Sequence, residues 1–175
     1  FAGSGGQGIM LMARVLAEAV VESGKFITWL PAYGAEVRGG ASYCMLIISD
    51  DEISSPYIDC ADSLIAMNGP SLRKYLPRLK NKDGLLILNS SLANAKIKNK
   101  NIKIIKVPCN EIAVRLGNIK VANMVALGAY VAIKKIIAIK DILQVIEAMG
   151  TSAKKEELIA INKKALTKGV SYGKG

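Results

Sequence analysis

The sequence predicts an α/β protein: a single three-layer α/β/α sandwich over residues 1–175, with a mixed, mostly parallel sheet and a helical C-terminal third. Three observations carry this. Hydrophobic residues make up 51% of the chain but aromatics only 5%, so Ile, Leu, Val and Ala supply the core. That aliphatic bias suits strands buried on both faces. Short strand-like runs alternate with helical segments up to Val107, and only helical pattern follows. No linker, internal repeat or low-complexity block divides the chain, whose 175 residues suit one domain with a sizeable core.

The elements follow in order. Residues 7–23 read as a helix, with Ile9, Val15, Leu16, Ala19 and Val20 on an apolar face and Gly24 just past the end. Residues 26–30 (FITWL) and 42–49 (SYCMLIIS) read as strands. Their connection, Pro31 to Ala41, lacks helical periodicity, whereas a parallel crossover normally needs a helix. These two strands are therefore antiparallel neighbours or members separated in a mixed sheet, unlike a regular dinucleotide-binding domain. Ser63 to Met67 reads as a buried strand, and residues 70–79 as a helix started by Pro70. Asp83-Gly84 turns the chain into the strand Leu85 to Leu88; residues 102–107 form another, stopped by Pro108. Four helices complete the chain: Glu111 to Leu116, 121–136, Lys140 to Met149, and 153–168. A glycine loop such as the one at Gly3 normally follows a complete strand, so most of a first strand is expected to lie outside this sequence, which opens at Phe1-Ala2.

Composition narrows the chemistry. There is no histidine, which excludes His-based triads, His proton shuttles and His-ligated metals within the chain. Cys44, Cys60 and Cys109 are far apart and cannot build a four-cysteine cluster alone. Nor do they read as a secreted disulfide framework, so a reduced, cytoplasmic compartment is expected. The longest apolar stretch, Val121 to Ile133, is interrupted by Asn123 and Gly128 and is too short to span a membrane. Net charge is +10, and Lys96, Lys98, Lys100, Lys103 and Lys106 crowd one segment. No aromatics interleave with them, so a solvated loop and strand edge is expected rather than a nucleic-acid surface.

Two motifs can carry chemistry. Gly3-Ser4-Gly5-Gly6-Gln7-Gly8 lies between a strand stub and a helix. Its glycines let the backbone approach a ligand, and the helix start offers unpaired N–H groups to an anion such as a phosphate. Gly3, Gly5 and Gly8 also satisfy G-x-G-x-x-G, but that fingerprint needs an acidic residue about 20 positions on, at the end of the second strand. Here that strand ends in Leu30-Pro31-Ala32, and Glu36 lies deeper in the loop, so NAD or FAD binding is disfavoured. The second motif, Tyr33-Gly34-Ala35-Glu36-Val37-Arg38-Gly39-Gly40, places an aromatic, an acid and an arginine on a glycine-bracketed loop. Arg38 can clamp a carboxylate or phosphate, or pair with Glu36 and shape the loop. The chain contains no complete catalytic constellation.

Together these motifs, G-x-G-G-Q-G and Y-G-x-E-x-R-G-G, resemble the gamma subunit of 2-oxoacid:ferredoxin oxidoreductases and the smaller indolepyruvate oxidoreductase subunit. The resemblance continues through Ile53 to Pro56, Asp62 to Ala66, Ala113 to Gly117, Asn123 to Gly128, and Asn162, Ala165, Leu166 and Gly169. It implies a non-catalytic gamma subunit of an enzyme that uses thiamine diphosphate and iron–sulfur clusters. Both cofactors would lie in partner subunits, alpha and beta with a delta subunit as a further candidate, and ferredoxin would be reached through the complex. It also implies coenzyme A at a shared site, with Gly3, Ser4, Gly5, Gly6, Gln7, Gly8, Arg38, Gly39, Gly40 and Asn123 as candidate contacts. Tyr33, Glu36 and Arg38 are candidate interface residues. A stand-alone nucleotide- or coenzyme A-binding module is the alternative.

Overall fold

The structure is a computed structural model and describes residues 1–33, 41–149 and 153–173. Six strands form one sheet: β1 (Ala2–Ser4), β2 (Phe26–Tyr33), β3 (Ala41–Ser49), β4 (Ser63–Ala66), β5 (Leu85–Asn89) and β6 (Lys103–Val107). Their order is β2-β3-β1-β4-β5-β6. β1, β4, β5 and β6 run parallel, and β3 is antiparallel to both β1 and β2. The helices are α1 (Ile9–Glu22), α2 (Gly69–Tyr75), α3 (Cys109–Arg115), α4 (Ala122–Lys134), α5 (Ile139–Ala148) and α6 (Ala153–Gly173).

The predicted class holds, because strand residues alternate between two cores. On one face Cys44, Ile65, Leu85, Ile87 and Val107 pack under α1, α3, α4, α5 and α6. On the other, Ala2, Leu64, Ala66, Leu86 and Leu88 meet Leu72 and Tyr75 of α2. All five residues of β5 are buried, as its unbroken apolar run requires. The antiparallel option for residues 26–49 is the one adopted, with β2 and β3 adjacent from Phe26↔Ser49 to Tyr33↔Ser42.

Several predicted boundaries move, each for a local reason. β2 continues through Pro31, Ala32 and Tyr33, which the sequence had suggested were loop. Cys44 opposite Pro31 exchanges its hydrogen bonds with Phe1, the residue just before β1, so the Pro31 nitrogen points to the open edge, where a missing N–H costs nothing. α1 starts at Ile9 rather than residue 7, because Gly8 takes a left-handed φ of 70° and Gln7 belongs to the loop. α2 ends at Tyr75, and the chain tightens into a 3₁₀ turn, Leu76–Arg78, at Pro77. α6 extends to Gly173, beyond the predicted residue 168. Its glycines let it lie on α4: a Cβ on Gly169 would sit 2.0 Å from the Val125 carbonyl oxygen, and one on Gly128 2.1 Å from that of Leu166. The five clustered lysines are exposed, on the loop before β6 and on β6 itself, an edge strand.

Candidate functional site

The carboxyl ends of β1 and β4 form the switch point of the sheet. After β1 the chain leaves through α1 to β2; after β4 it leaves through α2 to β5, in the opposite direction and on the opposite face. Ligands of open α/β sheets bind at such a point. The glycine loop, Ser4 to Gly8, occupies it.

The loop is built by close approach. A Cβ on Gly3 would lie 2.6 Å from Ile9 Cδ1 and 2.8 Å from Gln7 Oε1. Gly6 and Gly8 have φ of 89° and 70°, the left-handed region that favours glycine. Ser4 and Gln7 close a turn: Gln7 N donates to Ser4 O (3.1 Å), and Ser4 N to Gln7 Oε1 (2.7 Å). Gln7 Nε2 reaches Met67 O at 3.3 Å. Both side chains therefore brace the loop. Gly5 and Gly6 are exposed at its crest.

Asn68 holds the loop from β4. Its Nδ2 donates to Ser4 Oγ (2.7 Å) and Gln7 Oε1 (2.8 Å), while its Oδ1 accepts from Ser71 N and caps α2. Asn123 holds it from α4: Nδ2 donates to Gly8 O (3.0 Å), and Oδ1 accepts from Met124 N. Asn89 ties the neighbouring strand ends together. Its Nδ2 donates to Met67 O and Asn110 Oδ1, and its Oδ1 accepts from Cys109 N. The sequence reading singled out Asn123 but missed Asn68, Asn89 and Asn110 as site residues. A signal was present: both central runs, SLIAMN and LLILN, end in asparagine where a strand meets a turn.

The electrostatics favour an anion. α1 has neither a side-chain cap nor an acid in its first turn, and its first hydrogen bond runs from Met12 N to Gly8 O. The amides before Met12 are thus left for another acceptor. α4 likewise has no acid in its first turn and starts beside the loop, through Asn123. The positive ends of two long helices converge there. The sheet order also separates the loop from the end of β2, because β3 intervenes. In a dinucleotide-binding domain the ribose-holding acid stands on the strand next to the loop. Burial pushes the Cys109 thiol up to about 12, so this cysteine is no nucleophile. No group of three or more metal-ligating side chains occurs among the described residues. No described helix is long and apolar enough to cross a membrane. Glu36, Arg38, Gly39 and Gly40 lie outside the described residues, as does the side chain of Tyr33.

The family model described as pyruvate ferredoxin/flavodoxin oxidoreductase matches residues 1–172. The chain belongs to this family. A ketoisovalerate oxidoreductase subunit VorA from Methanothermobacter thermautotrophicus is 36% identical over 174 residues, 99% of the chain and 35% of VorA. The chain thus spans about a third of that relative's length. The gamma subunit of a keto/oxoacid ferredoxin oxidoreductase from Geobacter sulfurreducens has the same fold, with a TM-score of 0.82, 30% identity, and coverage of 99% of this chain and 95% of that one. A 2-oxoglutarate:ferredoxin oxidoreductase from Magnetococcus marinus, solved with 2-oxoglutarate, coenzyme A and succinyl-CoA bound, shares the fold at a TM-score of 0.85 and 22% identity, over 99% of this chain and 30% of that one. The domain is therefore of the gamma type, and its relatives are named as subunits of 2-oxoacid oxidoreductases.

Proposed function

We propose that this domain is a non-catalytic, gamma-type part of a 2-oxoacid:ferredoxin oxidoreductase that helps to bind coenzyme A and to assemble the complex. The observation that carries the proposal is the glycine loop at the switch point, under the uncapped start of α1 and beside the start of α4. Its donors are backbone amides, which suit the phosphate groups of coenzyme A without a ribose-holding acid. Coenzyme A when bound accepts the acyl group; this chain's residues would only hold its anionic part. Gly5, Gly6 and Gly8 would present amides, and Ser4, Gln7, Asn68 and Asn123 would keep the loop open. Arg38, Gly39 and Gly40 would complete the clamp, and Tyr33, Glu36 and Arg38 would meet the alpha and beta subunits, or a delta subunit. Thiamine diphosphate and the iron–sulfur clusters would belong to those partners, with ferredoxin reached through them.

Calorimetry with coenzyme A and NAD tests the ligand. Coenzyme A is expected to bind more tightly; micromolar NAD binding with no response to coenzyme A overturns the assignment. The pure chain, given 2-oxoacids, thiamine diphosphate, coenzyme A and a viologen dye, is expected to show no turnover above a blank.

A further inference from the structure

The sheet ends in two edge strands, β6 and β2, and their side chains treat the two edges oppositely. β6 is short and carries the exposed Lys103 and Lys106, which discourage pairing with another strand. β2 has 8 residues, FITWLPAY, and no charge. Phe26 and Trp29 stand exposed on it. Lys25, just before it, is engaged in an ion pair with Asp50. Among the described residues no strand pairs with the outer side of β2. The edge is also remote from the glycine loop, because β3 stands between β2 and β1.

We propose that β2 is a pairing edge for a second copy of this chain, the two sheets joining antiparallel about a two-fold axis at Thr28. Backbone groups alternate in direction along an antiparallel strand. Pro31 faces the open edge, so Ile27 and Trp29 face it too. Pro31 then selects the register. An axis at Trp29 would set Pro31 against Ile27 of the second copy and leave the Ile27 carbonyl without a donor. An axis at Thr28 sets Ile27 against Trp29 of the second copy and Trp29 against its Ile27. Each of these residues has both N–H and C=O, so both pairs exchange both bonds. Pro31 falls opposite Lys25, outside the strand.

Side chains fit the same register. On one face Phe26 meets Leu30 of the second copy, and on the other Ile27 meets its Trp29. Thr28 meets Thr28 at the axis. Thr28 Oγ1 has no hydrogen-bond partner among the described residues, and directly opposed threonines hydrogen-bond each other across strands. Helix α1 argues for a second copy rather than a foreign strand. It packs on the face of Ile27 and carries an outer stripe of Leu11, Arg14, Glu18 and Val21, at helical spacing. Arg14 and Glu18 pair within the helix at 2.6 Å, and Leu11 and Val21 are exposed. A two-fold axis normal to the sheet sets the two copies of α1 antiparallel. Arg14 then lies towards Glu18 of the second copy, and Leu11 towards its Val21. Opposite charges match, and apolar ends match, only in that antiparallel sense.

Trp29 is the chain's single tryptophan, so its fluorescence reports on this edge directly. Sedimentation and emission are followed from low micromolar to submillimolar concentration. The chain is expected to pass from monomer to dimer with a matching blue shift. Trp29→Lys, read by sedimentation, is expected to stay monomeric throughout. Thr28→Cys in a Cys60→Ser background, oxidised with diamide, is expected to form a cross-linked dimer, because the two residues oppose each other within disulfide reach. Leu30→Cys, which faces Phe26, is expected not to. A monomer at every concentration with unshifted emission overturns the proposal. So does a dimer cross-linked through Leu30→Cys and not through Thr28→Cys. Emission that shifts only when other subunits of a complex are added also overturns it, and assigns the edge to one of them.

Discussion

Asn123 and Gly8, 115 residues apart in sequence, interlock: the Asn123 amide donates to the Gly8 carbonyl at 3.0 Å, and a Cβ on Gly8 would come within 2.4 Å of the donating nitrogen. Gly8 also has φ of 70°. Glycine is thus required there twice, for backbone conformation and for space. Gly8→Ala is expected to destabilise the fold by about 2–4 kcal/mol, from left-handed strain plus the clash. Asn123→Ala, which removes only the brace, should cost about 1–3 kcal/mol. Denaturant midpoints of the two variants check the order.

Asn68 separates two roles that one substitution can split. Its Oδ1 caps α2, while its Nδ2 holds Ser4 and Gln7. Asn68→Asp keeps the capping oxygen but replaces the donor with an acceptor facing Gln7 Oε1. Thermal stability should fall by about 1–2 kcal/mol, and affinity for coenzyme A should fall more, because a carboxylate then stands at an anion site. Calorimetry and melting on the same variant decide it; unchanged affinity would remove Asn68 from the site.

The α4–α6 contact depends on absent side chains. A Cβ on Gly169 or Gly128 would strike backbone, which has nowhere to go. Gly169→Ala should therefore cost about 2–4 kcal/mol even though alanine is the better helix former. A denaturation curve unshifted from the parent would show that the two helices can separate at little cost.

Alkaline pH should unfold the protein early. Burial pushes the Cys109 thiol to about 12, and burial first, then neighbouring tyrosine charge, raises Tyr75 to about 12; burial also raises Tyr130 to about 12. In each case the folded state holds its proton where the unfolded state has lost it. Stability is therefore whole below the unfolded pKa values, near 9 for the thiol and 10 for the tyrosines, and falls as pH rises towards 12. Tyr75→Phe, which also deletes a buried hydroxyl without a partner, should be neutral or stabilising at pH 7 and should flatten the decline above pH 10. Melting temperatures across pH 7 to 11 measure both effects.

Sequence alone determined whatever depends on local pattern. The short apolar run LLIL after the Asp83-Gly84 turn reads as a strand, and β5 is one, with every residue buried. The loop from Gly3 to Gly8 announced a close backbone approach, and the unhelical stretch after Leu30 ruled out a parallel crossover to β3. Tertiary structure decided what depends on distance along the chain. Asn68 and Asn89 look like ordinary turn residues until the sheet brings the ends of β1, β4, β5 and β6 together. The placement of β3 between β1 and β2 cannot be read from either strand, because periodicity specifies which face of a strand is buried and not which strand lies beside it. The same holds for Gly128 and Gly169: their spacing looks like a weakness in two helices, and only the packed pair shows it as the condition for contact.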